Sequence, residues 1–109
     1  MRIIDVIFLD EASNDIENIA IYIAKDSKAS ALNTVDKIID KCNDLLDFPK
    51  RGPLVPDKKM SEAGYRMLGI KPYIAFYRNI DGYVVIYRIL HGASNYPFLY
   101  DEMIENTIY

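Results

Sequence analysis

The chain has 109 residues, with 50% hydrophobic and 27% charged residues, 5 Gly and 5 Pro, the composition of one ordinary globular domain over residues 1–109 with no room for a second. Its single cysteine, Cys42, can make neither an internal disulfide nor a multi-cysteine zinc site, so a reducing, cytoplasmic setting is expected. No apolar run is long enough for a membrane span, Asp5 interrupts the stretch where an export signal would continue, and a net charge of -3 opposes a wholly nucleic-acid-binding surface.

Ile4, Val6 and Phe8 alternate with Asp5 and Ile7, which predicts a short first strand inside the sheet. From Asp10 the period changes. Ala12, Ile16, Ile19, Ala20, Ile23 and Ala24 fall three or four apart, so an amphipathic helix is expected to end near Lys25, with Asp10, Ser13 and Asn14 available as caps. After the polar break Asp26-Ser27-Lys28, Ser27 can cap a second helix with the seam Ala31, Leu32, Val35, Ile38, Ile39, Cys42, Leu45 and Leu46. The run Phe48-Pro49-Lys50-Arg51-Gly52-Pro53 stops it, because proline is hostile to a continuing helix. Two helices joined by so short a turn form an antiparallel hairpin.

A loop from Pro49 to about Ala63 leads into three β-rich runs, Tyr65 to Ile70, Tyr73 to Asn79 and Tyr83 to Leu90. Asp81-Gly82 marks a hairpin between the last two. A two-residue loop sets Phe76 opposite Tyr87, and a three-residue loop sets it opposite Ile86. Both faces of these strands carry aromatics. One face can be covered by the helices, and the other needs the tail from Tyr96 to Tyr109 or another molecule. The order β-α-α-β-β-β with a short C-terminal tail implies an α+β fold, an antiparallel sheet packed on a helical hairpin.

Charge is unevenly spread. Residues 1–49 hold ten acids against five bases, residues 50–88 hold eight bases against three acids, a basic island of +5, and residues 89–109 hold three acids and no Lys or Arg. Phosphate-binding glycine loops, HExxH and GxSxG are missing, so no metal or cofactor is expected. Cys42, on a helix seam, reads as a small buried apolar residue. His91, the only imidazole, follows the last strand, where it could move a proton or fix the strand exit through a backbone bond. Arg66, Arg78 and Arg88 each fall within a predicted strand and, with Lys71, could clamp a phosphate or pair with acids of the helices. Of nine tyrosines, Tyr65, Tyr73, Tyr77, Tyr83, Tyr87 and Tyr96 lie in or just after the three-stranded run, suited to base stacking or to a protein interface.

The segments Asp15-Ile16-Glu17-Asn18-Ile19-Ala20, Leu46-Asp47-Phe48-Pro49-Lys50-Arg51-Gly52, Tyr65-Arg66-Met67-Leu68, Tyr73-Ile74-Ala75-Phe76-Tyr77-Arg78 and Val85-Ile86-Tyr87-Arg88-Ile89-Leu90-His91-Gly92, in this order, make the chain resemble the RelE/ParE superfamily of bacterial type II toxins. The resemblance implies a growth-inhibiting toxin held by a cognate antitoxin in a toxin-antitoxin hetero-oligomer, with no membrane association. RelE-like members cut ribosome-bound messenger RNA without a metal, whereas ParE-like members inhibit DNA gyrase. Ile74 and Ser94 stand where the ribonucleases carry arginines, and His91-Gly92-Ala93-Ser94-Asn95 only partly matches the ParE-like ending.

The resemblance therefore leans to ParE and to gyrase. On the ribonuclease alternative Arg66, Arg88 and His91 are the catalytic residues. On either reading Tyr65, Tyr73, Phe76, Arg78, Tyr87 and Tyr96 are the candidates for contact with the target or the antitoxin. A third alternative is an inactive homologue that only binds antitoxin.

Overall fold

The computed structural model describes residues 2–106. Its elements are β1 (Asp5–Phe8), α1 (Asp10–Ala24), α2 (Lys28–Asn43), α3 (Lys58–Glu62), β2 (Arg66–Ile70), β3 (Tyr73–Ile80), β4 (Tyr83–His91) and α4 (Tyr100–Glu105), with 3-10 turns at Asp44–Leu46 and Tyr96–Leu99. Among the described residues no helix is long and apolar enough to cross a membrane.

The helix pair forms where the periodicity places it. Ser27 caps α2, its Oγ accepting the Ser30 N–H at 3.1 Å. The start of α1 differs from expectation: Asp10, Ser13 and Asn14 lie inside the helix, and Leu9 holds the cap position with no side-chain cap. The Leu9 N–H still donates to the Ile86 carbonyl at 3.0 Å, so the strand runs straight into the helix and leaves no capping turn. Asp10 and Glu11 in the first turn meet the positive end of the helix dipole instead. The expected loop before Ala63 also contains a helix. Asp57 accepts the Met60 N–H at 3.0 Å, and one turn, α3, buries Met60.

The sheet order is β1-β4-β3-β2, with β1 parallel to β4 and the other pairs antiparallel. The sheet is therefore mixed, and β1 lies at its edge, not inside it. Its four residues alternate between exposed and half-buried, the pattern of a strand covered on one side only.

The β3–β4 hairpin turns on Asp81 (φ 51) and Gly82 (φ 84), the two positive φ values of a type I′ turn. This two-residue loop pairs Ile80 with Tyr83 and continues to Tyr77 with Ile86, but Phe76 then faces Arg88. Neither sequence-derived partner, Tyr87 or Ile86, is correct, because β4 carries an extra residue at Tyr87, a β-bulge that shifts the register.

Two apolar clusters sandwich the sheet. On one face Ala12, Ile38, Cys42 and Leu45 from the helices meet Ile70, Ala75, Tyr77, Val84, Ile86 and Ile89. On the other, Phe76, Val85 and Tyr87 are covered by Val55, Met60 and Met103, with Tyr96, Leu99, Tyr100 and Ile104 packed alongside. The chain thus supplies its own cover for the second aromatic face, from α3 and the segment 96–106. Residues 107–109 of the expected tail lie outside the described residues.

Two outcomes follow. A Cβ at Gly82 would sit 3.2 Å from Ile4 Cδ1 at a left-handed φ, so Gly82→Ala should cost roughly 1 to 2 kcal/mol, seen as a lower urea midpoint at unchanged slope. Burial pushes the Cys42 thiol up to about 12, so the fold keeps a proton that the unfolded chain has already lost. That contribution is complete below about pH 9 and disappears as pH rises toward 12. The Tyr77 phenol, also raised by burial, titrates at alkaline pH as well. The thiol's share is therefore the difference between the pH slopes of unfolding of the native chain and of Cys42→Ala, the native slope being steeper above pH 9.

Candidate functional site

β4 loses its parallel neighbour beyond Ile86, where β1 ends. There α1 supplies a side chain instead of a strand. The Asp15 carboxylate accepts the Ile89 N–H at 2.9 Å and takes both Nε and Nη2 of Arg88, at 2.7 and 2.9 Å. Both partners are mostly buried, and the fork-to-carboxylate geometry is the strongest that arginine makes. The Arg88 guanidinium is held charged above its ordinary range by the Asp15 hydrogen bond, with the charges of Asp15, Glu102 and Glu11 adding to it and burial working against it.

Arg66 is engaged at another corner. Its Nη1 donates to the Gly52 carbonyl at 2.9 Å. The Gly52 N–H donates to the Tyr77 hydroxyl at 3.0 Å, and that hydroxyl donates to the Pro49 carbonyl at 2.9 Å. Asn79 Nδ2 reaches the same carbonyl at 2.9 Å. The junction between α2 and α3 is therefore tied down by side chains of β2 and β3.

His91 lies exposed at the far end of β4. Its Nδ1 accepts the Ala93 N–H at 3.0 Å, and its ring meets Tyr73 edge-on with centroids 5.6 Å apart. This is the backbone bond that fixes a strand exit. Arg66 pairs with Tyr77 and His91 with Tyr73. Four residues of β3, roughly 13 Å of strand, and the width of β3 itself thus separate them. The three residues named for ribonuclease chemistry occupy three different places and converge on no common point.

The six contact candidates divide in two. Tyr65, Phe76 and Tyr87 are buried and Arg78 is 9% exposed. Arg78 Nε donates to the Ala63 carbonyl at 2.6 Å and its Nη1 to the Tyr87 hydroxyl at 3.3 Å, while its guanidinium lies 5.3 Å from the Tyr65 ring centroid. Tyr65 in turn donates its hydroxyl to the Met103 carbonyl at 2.7 Å and meets Tyr87 edge-on. In this conformation these four hold the C-terminal segment against the sheet. Tyr73 and Tyr96 are half-buried and reach the surface.

Residues that the sequence reading gave no role stand out in the structure. Asp15 adjoins the apolar stripe of α1, the one signal that could have marked it for a partner in the sheet. Ile21 and Tyr22 of α1 leave large apolar side chains exposed, Tyr22 at 72%. Leu32, Ile39 and Leu46, expected on the buried seam of α2, are exposed as well, Leu32 at 67%, because the sheet covers only the narrower stripe of Ala31, Ile38, Cys42 and Leu45. Among the described residues no group of three His, Cys, Asp or Glu side chains could hold a metal ion.

Compared with known proteins, the chain matches over residues 6–96 the family described as ParE toxin of type II toxin-antitoxin system, parDE. A solved chain from the chromosomal ParDE TA system from P. aeruginosa superposes with a TM-score of 0.66 at 21% sequence identity, covering 84% of this chain and 98% of that one. At that identity the likeness shows the fold. No curated protein sequence matches the chain.

Removing the Asp15 carboxylate strands the Ile89 N–H and the Arg88 charge together. Asp15→Ala should therefore cost about 2 to 3 kcal/mol, and Asp15→Asn, which keeps one acceptor, roughly half as much, as measured by chemical denaturation.

Proposed function

This chain belongs to the ParE toxin family of type II toxin-antitoxin systems, and from that premise we propose that it arrests growth by binding and inhibiting DNA gyrase until its antitoxin covers it. Membership of the family implies a cognate antitoxin as partner. The observation that carries the choice of mechanism is the separation of Arg66, Arg88 and His91, each bonded at its own place in the fold. Phosphoryl cleavage without a metal needs charges and a proton carrier around one phosphate. Inhibition by binding needs only a shaped surface, and the exposed end of the sheet around Lys71, Pro72 and Tyr73 supplies one.

The antitoxin is assigned to the helices. The second face of the sheet is already covered by this chain's own C-terminal segment. Leu32, Val35 and Ile39 recur at the spacing of one helical face and are exposed or half-buried, so an amphipathic segment of the antitoxin lies along α2 and meets Ile21 and Tyr22 of α1. Gyrase and a cognate antitoxin as partners support a cytoplasmic hetero-oligomer.

A supercoiling assay with purified gyrase tests the mechanism. The chain should inhibit it, the antitoxin should relieve the inhibition, and thymidine incorporation should fail in cells before methionine incorporation does. Arg66→Ala and His91→Ala should stay toxic, while Leu32→Glu should stay toxic and escape the antitoxin. Supercoiling unaffected by excess chain, or a collapse of translation that both alanine variants abolish, would refute gyrase inhibition and favour the ribonuclease.

A further inference from the structure

A cavity of about 750 Å³ opens where the junction after α2 meets the start of β1 and the end of β3. Its walls are Ile3, Phe48, Pro49, Lys50, Arg51 and Asn79. It therefore carries two cations and no acid, in a chain whose net charge is -3. Asp10, Glu11, Glu62 or Glu102 line the cavities beside the start of α1 and beside α3 and α4, whereas the cavity beside the start of β3 shares the pattern, with Lys37 and Lys71 and no acid, but is less than half the size at about 290 Å³. Phe48 is 56% exposed at this opening, and Arg51 lies 4.6 Å from its ring centroid. Asp44 approaches Arg51 at 3.7 Å across a surface where both are about half exposed, a weak pair that a stronger carboxylate contact can replace.

The walls are also preorganised. Tyr77 and Asn79 both donate to the Pro49 carbonyl, and Gly52 has its N–H and its carbonyl taken by Tyr77 and Arg66. A Cβ on Gly52 would fall 2.6 Å from the Met67 carbonyl oxygen, so the junction is pressed against β2 as closely as a backbone allows. A cup held this way orders little on binding, which lowers the entropic cost of taking a ligand.

We infer that this cavity is a docking site for a protein segment in which a bulky aliphatic or aromatic side chain is flanked by Asp or Glu. The apolar side chain fills the space between Ile3, Phe48 and Pro49, and the carboxylates meet Lys50 and Arg51. This site does not depend on gyrase being the target, nor on the stripe along α2.

A random-peptide display library selected on the immobilised full chain tests it, with the enriched peptides then synthesised and their binding followed by fluorescence anisotropy. Enriched sequences should combine a large apolar residue with neighbouring acids and bind more weakly as salt rises. Phe48→Ala and the double variant Lys50→Glu, Arg51→Glu should each weaken them by on the order of tenfold or more, while Leu32→Glu leaves them unchanged. Matching far-UV circular dichroism shows that the variants are folded, and the charge variant touches only surface side chains. The inference is overturned if no peptide is enriched, if enriched peptides lack acids, or if they bind the two variants as well as the native chain. A dimer seen in sedimentation that Phe48→Ala abolishes would also overturn it, by giving the cavity to a second copy.

Discussion

The bulge at Tyr87 and the Asp15 carboxylate beside it fix how the two layers of this chain share one sheet. With strict alternation, Val84 and Ile86 on the helix side would be followed by Arg88 and Leu90, and Ile89 would turn away. The extra residue reverses this. Ile89 joins Val84 and Ile86 against the helices, while Tyr87 and Leu90 join the cluster under the C-terminal segment. Arg88 is left at the margin, where an unpaired guanidinium would be expensive, and Asp15 meets it there while also satisfying the Ile89 N–H. One carboxylate thus joins α1 to the strand whose register decides the composition of both cores.

The strand arginines follow a common logic. Each ties a non-adjacent part of the chain to the sheet: Arg66 the α2–α3 junction, Arg78 the end of α3, and Arg88 the helix α1. The basic island in residues 50–88 is therefore in part an internal scaffold. Among the cations of the junction, Lys50 and Arg51 are the ones that reach solvent beside an apolar opening.

Much of this was legible in the sequence. The apolar seam of α1, the Ser27 cap and the Asp81-Gly82 turn follow from local rules of spacing and backbone conformation and appear where those rules put them, whereas of the α2 seam Ala31, Ile38, Cys42 and Leu45 are buried and Leu32, Ile39 and Leu46 face outward. What escaped depended on distant partners. The bulge is set by which side chains of β4 fit under the helices, and the edge position of β1 by the parallel pairing with a strand some eighty residues later. α3 is a single turn, too short for periodicity, although Asp57 three residues before Met60 carries a capping signal. For the site, Arg66, Arg88 and His91 could not be seen to be apart without the register, nor could Tyr65, Phe76 and Tyr87 be seen to lie beneath the chain's own C-terminal segment.

The junction from Pro49 to Gly52 is fastened at its two ends through main-chain atoms: a carbonyl at Pro49 and both polar groups of Gly52. The two residues between them contribute no side chain to that fastening. Lys50 and Arg51 can consequently change identity while the frame that presents them keeps its shape. The span permits wide chemical variation at fixed geometry, whereas adding or deleting one residue would move an anchored end off its partner. A surface built in this way can be retuned toward a different counterpart one side chain at a time, without the fold having to adjust.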